Sequence, residues 1–170
     1  MATATLSPEV QETARAVEEF ISSGATLKDV RGLSDQEMDA IYAMAYNFYN
    51  HGKFEKAEQA FKFLTYYDHL EKKYLLGLAA CRQMSGNYAG AVDTYGVATI
   101  MDPEDPTGSL HAAECLIAMK DTERAIQACY TALDICGTVP EMADHVKKAQ
   151  YLLNLIQGNG AEEDKHGNHQ

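Results

Sequence analysis

The sequence predicts an all-α protein, a solenoid in which helical hairpins follow one another at a fixed spacing of 34 residues. Three sets of residues recur at that spacing: Ala45, Ala79 and Ala113; Ala57, Ala91 and Ala125; and Phe61, Tyr95 and Cys129. Small residues at such positions let neighbouring helices cross closely. Gly52 and Gly86 are expected to close the first two hairpins. These recurrences predict three repeats, over residues 38–71, 72–105 and 106–139.

A period of 34 residues is typical of the tetratricopeptide repeat, in which each unit is a helix–turn–helix. Pro103 falls where that pattern places its proline. Asp105 followed by Pro106 indicates the start of the third repeat, and Asp121 is expected to cap its second helix. Such repeats stack into a curved array whose concave face usually binds a partner. The period therefore favours a binding protein over an enzyme.

Residues 1–37 are predicted to form an N-terminal helical region ahead of the repeats. Ser7 and Pro8 are typical of a helix start, and Gly24 is expected to end that helix. Its apolar stripe has no repeat to pack on, so we expect it to mediate a weak homodimer. The stripe consists of Val10, Ala14, Val17 and Ile21. Ser34 and Glu37 form a capping-box pattern for the next helix.

A last helix is predicted to cover the open end of the stack, as the terminal element of a solenoid must. Thr138 and Glu141 have capping-box spacing ahead of it, and the repeats with this capping helix occupy residues 38–157. From Gly158 onward the chain is mostly Gly, Asn, His and acidic residues. We therefore expect residues 158–170 to be a disordered tail.

Composition narrows the class of protein further. The chain has 170 residues, 46% of them apolar, which excludes disorder throughout. Its net charge of −11 opposes direct binding to nucleic acid. We expect no secretory signal and no membrane insertion, because no apolar stretch is long enough. Cys81 and Cys115 occupy equivalent repeat positions, which is typical of small buried residues in a reducing compartment, so we expect a cytosolic protein.

Tyrosines on the first helix of the first repeat indicate where a partner would bind. Ile41, Met44, Ala45 and Phe48 form the stripe expected in the core, whereas three tyrosines form a second stripe roughly 110–120° away. That second stripe and its equivalents in later repeats should face the concave groove: Tyr42, Tyr46 and Tyr49; Leu76, Ala80 and Gln83; Leu110, Glu114 and Ile117. Tyrosine suits binding because it combines a large contact area with a hydroxyl group. The alternative is that N-terminal segments cover the tyrosines as ordinary core.

Other uses of the groove have weaker support. A clamp for a C-terminal carboxylate would need several converging basic and amide groups, and only Lys73 and Asn50 are placed to help. His111 and Cys115 could supply two metal ligands, but no second pair has the spacing of a structural zinc site. No phosphate loop, nucleophile elbow or paired carboxylates appear. We therefore expect no metal, cofactor or catalytic residue.

Three segments together resemble the class II type III secretion chaperones, of the LcrH/SycD and SicA/IpgC types. They are SGATLKDVRGLSDQEMDAIYAMAYNFYNHGKFEKAEQAFKFLTYYDH (residues 23–69), GLAACRQ (77–83) and HAAECL (111–116). The resemblance covers about residues 14–156. It implies an all-helical chaperone of the bacterial cytoplasm that is not an enzyme. Such proteins serve the pore-forming translocators of Gram-negative pathogens.

The resemblance also implies how a client would bind. These chaperones hold an extended N-terminal segment of the form Pro-x-Leu-x-x-Pro in the concave groove and keep two hydrophobic translocators apart until export. The implied groove residues are Tyr42, Tyr46, Tyr49, Leu76, Ala80 and His111. Gly108 and Ser109 stand where some members have Phe or Tyr late in the groove, which predicts a third pocket that is either shallower or filled by a larger client side chain. A co-regulator that partners an AraC-like activator, or a generic tetratricopeptide scaffold, would share the fold.

Overall fold

Helices make up the regular structure of the computed structural model, which describes residues 7–166 without the side chains of residues 8–10, 14, 17–18, 21 and 159–166. The helices are α1 (Pro8–Ser22), α2 (Leu27–Arg31), α3 (Asp35–Asn50), α4 (Phe54–Tyr67), α5 (Lys72–Met84), α6 (Tyr88–Met101), α7 (Thr107–Ala118), α8 (Thr122–Cys136) and α9 (Ala143–His166), with a 3₁₀ turn at Pro140–Met142. Each predicted repeat is one hairpin: α3–α4, α5–α6 and α7–α8. The predicted all-α repeat solenoid is confirmed.

The predicted helix starts rest on side-chain caps that satisfy free backbone N–H groups. Ser34 Oγ accepts a hydrogen bond from the Glu37 backbone N–H at 3.3 Å, and the Glu37 carboxylate accepts one from the Ser34 N–H at 2.9 Å. Asp121 accepts from the Arg124 N–H at 3.2 Å at the start of α8. Both capping predictions are therefore confirmed.

The start of the last helix differs from the prediction. Thr138 and Glu141 form no capping box, because the chain enters a 3₁₀ turn at Pro140 and α9 begins only at Ala143. Proline fixes φ and lacks an N–H group, so it is suited to the first position of that turn. Thr138 is left in the preceding loop, outside the helix.

The far end of α9 also differs from the prediction. The helix continues to His166, whereas residues 158–170 were expected to be a disordered tail. Extending an existing helix adds one hydrogen bond per residue without a new nucleation cost. Ala161, Glu162, Glu163 and Lys165 all favour helix, which offsets the two glycines before them. Residues 167–170 lie outside the described part of the chain.

Alanines at the helix crossings set how closely the hairpins stack. Six of them, at equivalent positions of the three repeats, have no accessible surface: Ala45, Ala57, Ala79, Ala91, Ala113 and Ala125. Gly108 serves the same purpose where α6 meets α7, because a Cβ atom there would lie 2.9 Å from the Tyr95 carbonyl oxygen. Gly108 and Ser109 are both buried and do not line the groove, and the depth of a third pocket stays a prediction.

The last helix covers the third repeat. Ala149, Leu152 and Leu153 of α9 pack with buried residues of α7 and α8, among them Leu110 and Cys129. Ile156 joins a second cluster one turn further along α9. This apolar contact closes the end of the array that would otherwise be exposed.

The four cysteines are free and buried inside the repeats. Burial raises the pKa of Cys81 to about 12 and that of Cys115 to about 11. Both thiols are therefore protonated at neutral pH, as expected of small core residues.

A substitution at Leu64 of α4 would show how much the packed core of the first repeat contributes to the stability of the protein. It has no accessible surface and packs in the cluster that joins α3, α4 and α5. We expect Leu64→Ala to lower the free energy of unfolding by about 2–5 kcal/mol, through lost burial and the cavity left behind. Urea denaturation followed by circular dichroism would measure it. Leu70→Ala is the matched control, since Leu70 is 52% exposed; equal losses in the two variants would contradict this account of the core.

Candidate functional site

The first helices of the three repeats line one groove on the concave side, with a volume of about 470 Å³. Helix α3 supplies one wall, α5 the middle and α7 the far wall. Nine of the residues that the sequence placed in the groove line it: Tyr42, Tyr46, Tyr49, Lys73, Leu76, Ala80, Gln83, His111 and Glu114. We call the surface lined by these nine residues, together with Phe61, Gly77, Met84, Tyr95 and Thr107, the groove.

The tyrosine wall is a ladder of ring contacts along α3. The Tyr46 ring stacks between Tyr42 and Tyr49, with centroids 6.2 Å and 6.5 Å away. Tyr42 also meets the edge of Phe61 at 5.8 Å, and Tyr49 meets Phe54 at 5.5 Å. The outer two rings are thus held by the core, while Tyr46 keeps 52% of its surface exposed. A partner in the groove would therefore meet Tyr46 as a pre-positioned aromatic surface.

The floor of the groove depends on a glycine that the sequence analysis did not single out. Gly77 of α5 lies against the Phe61 ring, and a Cβ atom there would come within 2.5 Å of Phe61 Cζ. The absence of a side chain at residue 77 lets the ring of α4 reach through to the groove. Phe61 therefore contributes to both the core of the first repeat and the groove surface.

Sequence reasoning missed several other lining residues: Met84, Tyr95 and Thr107, together with Phe61 and Gly77. Phe61 and Tyr95 had been recognised only as equivalent repeat positions on the second helices. Their sequence spacing predicts the repeat core, and it does not reveal that the long aromatic side chains cross into the groove.

A polar network lies at the far end of the groove and joins four helices. The Tyr95 hydroxyl donates to Gln83 Oε1 at 2.9 Å. Glu114 then holds His111 Nδ1 and Lys148 Nζ, each at 2.8 Å, one on each carboxylate oxygen. The His111 ring also stacks on the Tyr95 ring, with centroids 5.3 Å apart. The network fixes α7 relative to α5, α6 and α9.

Glu114 is the centre of this network, and its pKa reflects that position. Burial by itself would raise the pKa of Glu114, but the hydrogen bonds from His111 and Lys148 outweigh it and hold the pKa at about 2. The carboxylate is therefore ionised at any physiological pH. Its charge is neutralised by partners inside the fold.

Several residues that the sequence analysis assigned to the groove or to the core of α3 lie outside those places. Leu110 has no accessible surface, and Ile117 is partly buried beside it, because α9 covers this side of α7. Asn50 is exposed at the end of α3 and does not line the groove. Met44, expected in the core, is 47% exposed on the outer side of α3. The side chains of Val10, Ala14, Val17 and Ile21 lie outside the described residues.

The charged groups around the groove are already paired. Lys73 Nζ lies 3.6 Å from Asp39 and 3.7 Å from Glu71, and 5.4 Å from the centre of the Tyr42 ring. Of the two groups considered for a carboxylate clamp, Lys73 lines the groove and Asn50 does not, so they do not converge there. Among the side chains that the structure describes, no group of three His, Cys, Asp or Glu is placed to hold a metal.

Among the helices of the described residues, none combines the length and the apolar character needed to cross a bilayer.

Comparison with known proteins identifies relatives along most of the chain. A tetratricopeptide-repeat family profile matches residues 38–70 and 73–105. Low calcium response locus protein H of Yersinia pseudotuberculosis is 32% identical over 148 residues, which cover 87% of this chain and 88% of that protein. Chaperone protein SicA of Salmonella dublin is 33% identical over 156 residues, covering 92% and 91%.

Solved structures of similar fold include chaperones with their partners. A T3SS complex from Aeromonas hydrophila matches with a TM-score of 0.79 and 31% identity, covering 86% of this chain and 98% of that one. The Yersinia enterocolitica type III secretion chaperone SycD, in complex with a peptide of the translocator YopD, matches at 0.69 and 30%, covering 75% and 98%. SycD in an alternative dimer matches at 0.70 and 30%, covering 75% and 97%.

The low pKa of Glu114 predicts a pH-dependent contribution to stability. An unfolded glutamate titrates near 4.5 and the folded Glu114 near 2. The stabilisation is therefore complete above about pH 4.5 and is lost as the pH falls toward 2. We expect Glu114→Gln to lower the free energy of unfolding more at pH 7 than at pH 3, as measured by urea denaturation. Glu123→Gln, at an exposed carboxylate of α8, is the control; a Glu114→Gln effect that is the same at both pH values would contradict the assignment.

Proposed function

The chain belongs to the family of type III secretion translocator chaperones, and from this we propose that it holds an extended segment of a translocator in its groove. One relative of 33% identity is named chaperone protein SicA, and the match covers 91% of that protein. SycD, at 30% identity, is described in complex with a translocator peptide. The proposed client is therefore a hydrophobic translocator of the chain's own secretion system, bound through a segment of the form Pro-x-Leu-x-x-Pro.

The observation that carries this proposal is the exposed tyrosine ladder. Large apolar surface is normally buried in a folded protein, whereas Tyr46 presents half of its ring surface to an open groove. Tyrosines lose few rotatable bonds on binding and often dominate the binding energy of an interface. Proline and leucine side chains would fit between such rings and the aliphatic Leu76 and Ala80.

The electrostatics of the groove support a client that is apolar in its side chains. Lys73, His111 and Glu114 are each paired inside the fold, so they leave little unbalanced charge for a ligand to neutralise. A charged ligand would also lose hydration on entry without gaining a free ion-pair partner. Uncharged side chains with backbone hydrogen bonds meet these constraints.

The physical need for such a chaperone follows from the client. A protein that will later insert into a membrane carries apolar segments that would associate in water. Holding one segment in the groove keeps the client from premature association before export. An unfolded segment loses conformational entropy on binding, which offsets part of the contact energy and favours a moderate, reversible affinity.

We infer a non-enzymatic role in the bacterial cytoplasm, where translocators are held before export. The polar groups of the groove bind one another instead of forming a nucleophile with a base or an open metal site. We also infer a weak homodimer through Val10, Ala14, Val17 and Ile21 of α1, since SycD is described as a dimer. The sequence supports the dimer because these four residues form one apolar stripe along α1.

Tyr46 gives the direct test of client binding. We expect Tyr46→Ala to weaken binding of a labelled Pro-x-Leu-x-x-Pro peptide at least about tenfold, because the central ring of the ladder is the exposed one, and tenfold is about 1.4 kcal/mol. Fluorescence anisotropy with the purified full chain would measure the affinity.

The matched control is Tyr130→Ala. Tyr130 of α8 is also 52% exposed but does not line the groove, so its removal should leave the affinity within about twofold while changing surface tyrosine content equally. Equal losses of affinity in the two variants, or none in either, would contradict binding in the groove.

The dimer has its own test, independent of the groove. We expect Val17→Asp combined with Ile21→Asp to shift the chain toward monomer, because two charges would interrupt the apolar stripe of α1. Sedimentation velocity would report the association state, and circular dichroism the helix content. The paired change Arg15→Asp with Glu19→Lys, at exposed positions of the same helix, is the control; an unchanged dimer in the first variant would place the interface elsewhere.

A further inference from the structure

His111 of α7 lies at the polar end of the groove, and its ring is held by two neighbours. Its Nδ1 atom lies 2.8 Å from Glu114 Oε2, and its ring stacks on the Tyr95 ring with centroids 5.3 Å apart. Both neighbours line the groove as well. The imidazole therefore has a fixed position on the groove wall and loses little freedom when a ligand binds beside it.

The contact with Glu114 decides which ring nitrogen of His111 carries the proton. The Glu114 carboxylate is ionised at neutral pH, because its pKa is held at about 2, so it can only accept a hydrogen bond. His111 Nδ1 is then the donor. In a neutral imidazole the other nitrogen carries no proton and is an acceptor. Glu114 therefore fixes Nε2 of the neutral ring as a hydrogen-bond acceptor.

This acceptor is not used inside the fold. Among the described residues, His111 forms its hydrogen bond through Nδ1 alone, and Nε2 is not one of the buried side-chain atoms that lack a partner, so it is accessible. The side chain keeps 36% of its surface exposed. Gln83 Oε1 nearby already accepts from Tyr95, and both Glu114 oxygens are paired. Nε2 is thus an open acceptor at this end of the groove.

An extended client segment brings donors that need such an acceptor. Its backbone N–H groups bind water when the segment is free, and an N–H that enters the groove without a partner loses that bond. Side-chain donors are absent from the Pro and Leu positions of the motif, whereas every residue except proline has a backbone N–H group. The backbone is therefore the donor that the client always carries.

We propose that His111 Nε2 accepts a hydrogen bond from one backbone N–H of the bound segment, and that the groove thereby excludes proline at that point of the client. Proline has no N–H group and cannot form this bond. The assignment rests on the proposed function and adds a positional rule to the apolar motif. The ladder would bind apolar side chains, while His111 would set the register of the backbone.

Nitrogen NMR of the full chain, with isotope-labelled histidine, tests the state of the ring and its use. Protonated and unprotonated ring nitrogens differ in chemical shift, and about pH 8 keeps a free imidazole neutral. We expect an unprotonated Nε2 in the free chain and a change of its shift when a Pro-x-Leu-x-x-Pro peptide is added. His51 is the matched control. Its Nδ1 is held 2.8 Å from the Asn47 carbonyl oxygen, but it does not line the groove, so its signal should not move.

Amide-to-ester replacement removes the N–H groups of the client one at a time. The core peptide carries Pro-x-Leu-x-x-Pro with alanine at each x, two alanines at each end and a fluorescein label. Each non-proline residue is replaced in turn by its α-hydroxy acid. We expect one ester to weaken binding to the wild type about fivefold, which is the size of one net hydrogen bond.

His111→Phe shows whether the lost bond was made to His111. The variant keeps a ring beside Tyr95, and Glu114 keeps Lys148 as its partner, but the acceptor is gone. The same ester should cost almost nothing in this variant, whereas His51→Phe should keep the fivefold loss. Comparing one ester in both proteins cancels the effect of the ester on the peptide itself.

The outcomes separate this assignment from the proposed function. A protonated Nε2 in the free chain, or an Nε2 signal that the peptide does not change, contradicts the acceptor role while binding in the groove stands. Ester losses that are equal in the wild type and in His111→Phe contradict it as well. If His111→Phe does not fold, the wild-type spectra decide alone. If the core peptide does not bind, or binds equally to Tyr46→Ala, the proposed function fails and the assignment fails with it.

Discussion

Close contact between helices at six buried alanines is the constraint on which this fold depends. Each lies at an equivalent crossing of the three hairpins and has no accessible surface. A larger side chain would push the crossing helices apart, because packed interiors have no spare volume. The same spacing turns the first helix of every hairpin toward one side. The groove is thus a consequence of how the alanines stack the repeats.

Core and groove share residues, which limits how either can vary. Phe61 fills the first repeat and also reaches the groove through the space left by Gly77. Tyr95, at the equivalent position of the next repeat, buries its ring but donates its hydroxyl to Gln83 beside the groove. Substituting either would alter stability and binding surface together. Tyr46, by contrast, is held by its neighbouring rings and is free to serve binding alone.

The two ends of the groove differ in chemistry. The tyrosine ladder offers broad apolar contact and little geometric discrimination, which fits a chaperone that must accept an unfolded segment. The far end, around His111 and Glu114, is polar and internally paired. Apolar contact along the ladder would therefore supply the affinity, while the paired polar groups hold α7 in place beside α5, α6 and α9.

The sequence by itself determined the fold class, since a period of 34 residues is a pattern that can be recognised along the chain. It also predicted a second stripe on α3, because the angle between two stripes follows from helix geometry, and Tyr46 of that stripe lines the groove. Only the tertiary structure shows that Leu110 is buried and does not line the groove, because helix α9, far along the chain, covers it. The same holds for Glu114, whose charge is fixed by Lys148 from α9. Burial and pairing of this kind depend on residues far apart in the chain, so no local spacing encodes them.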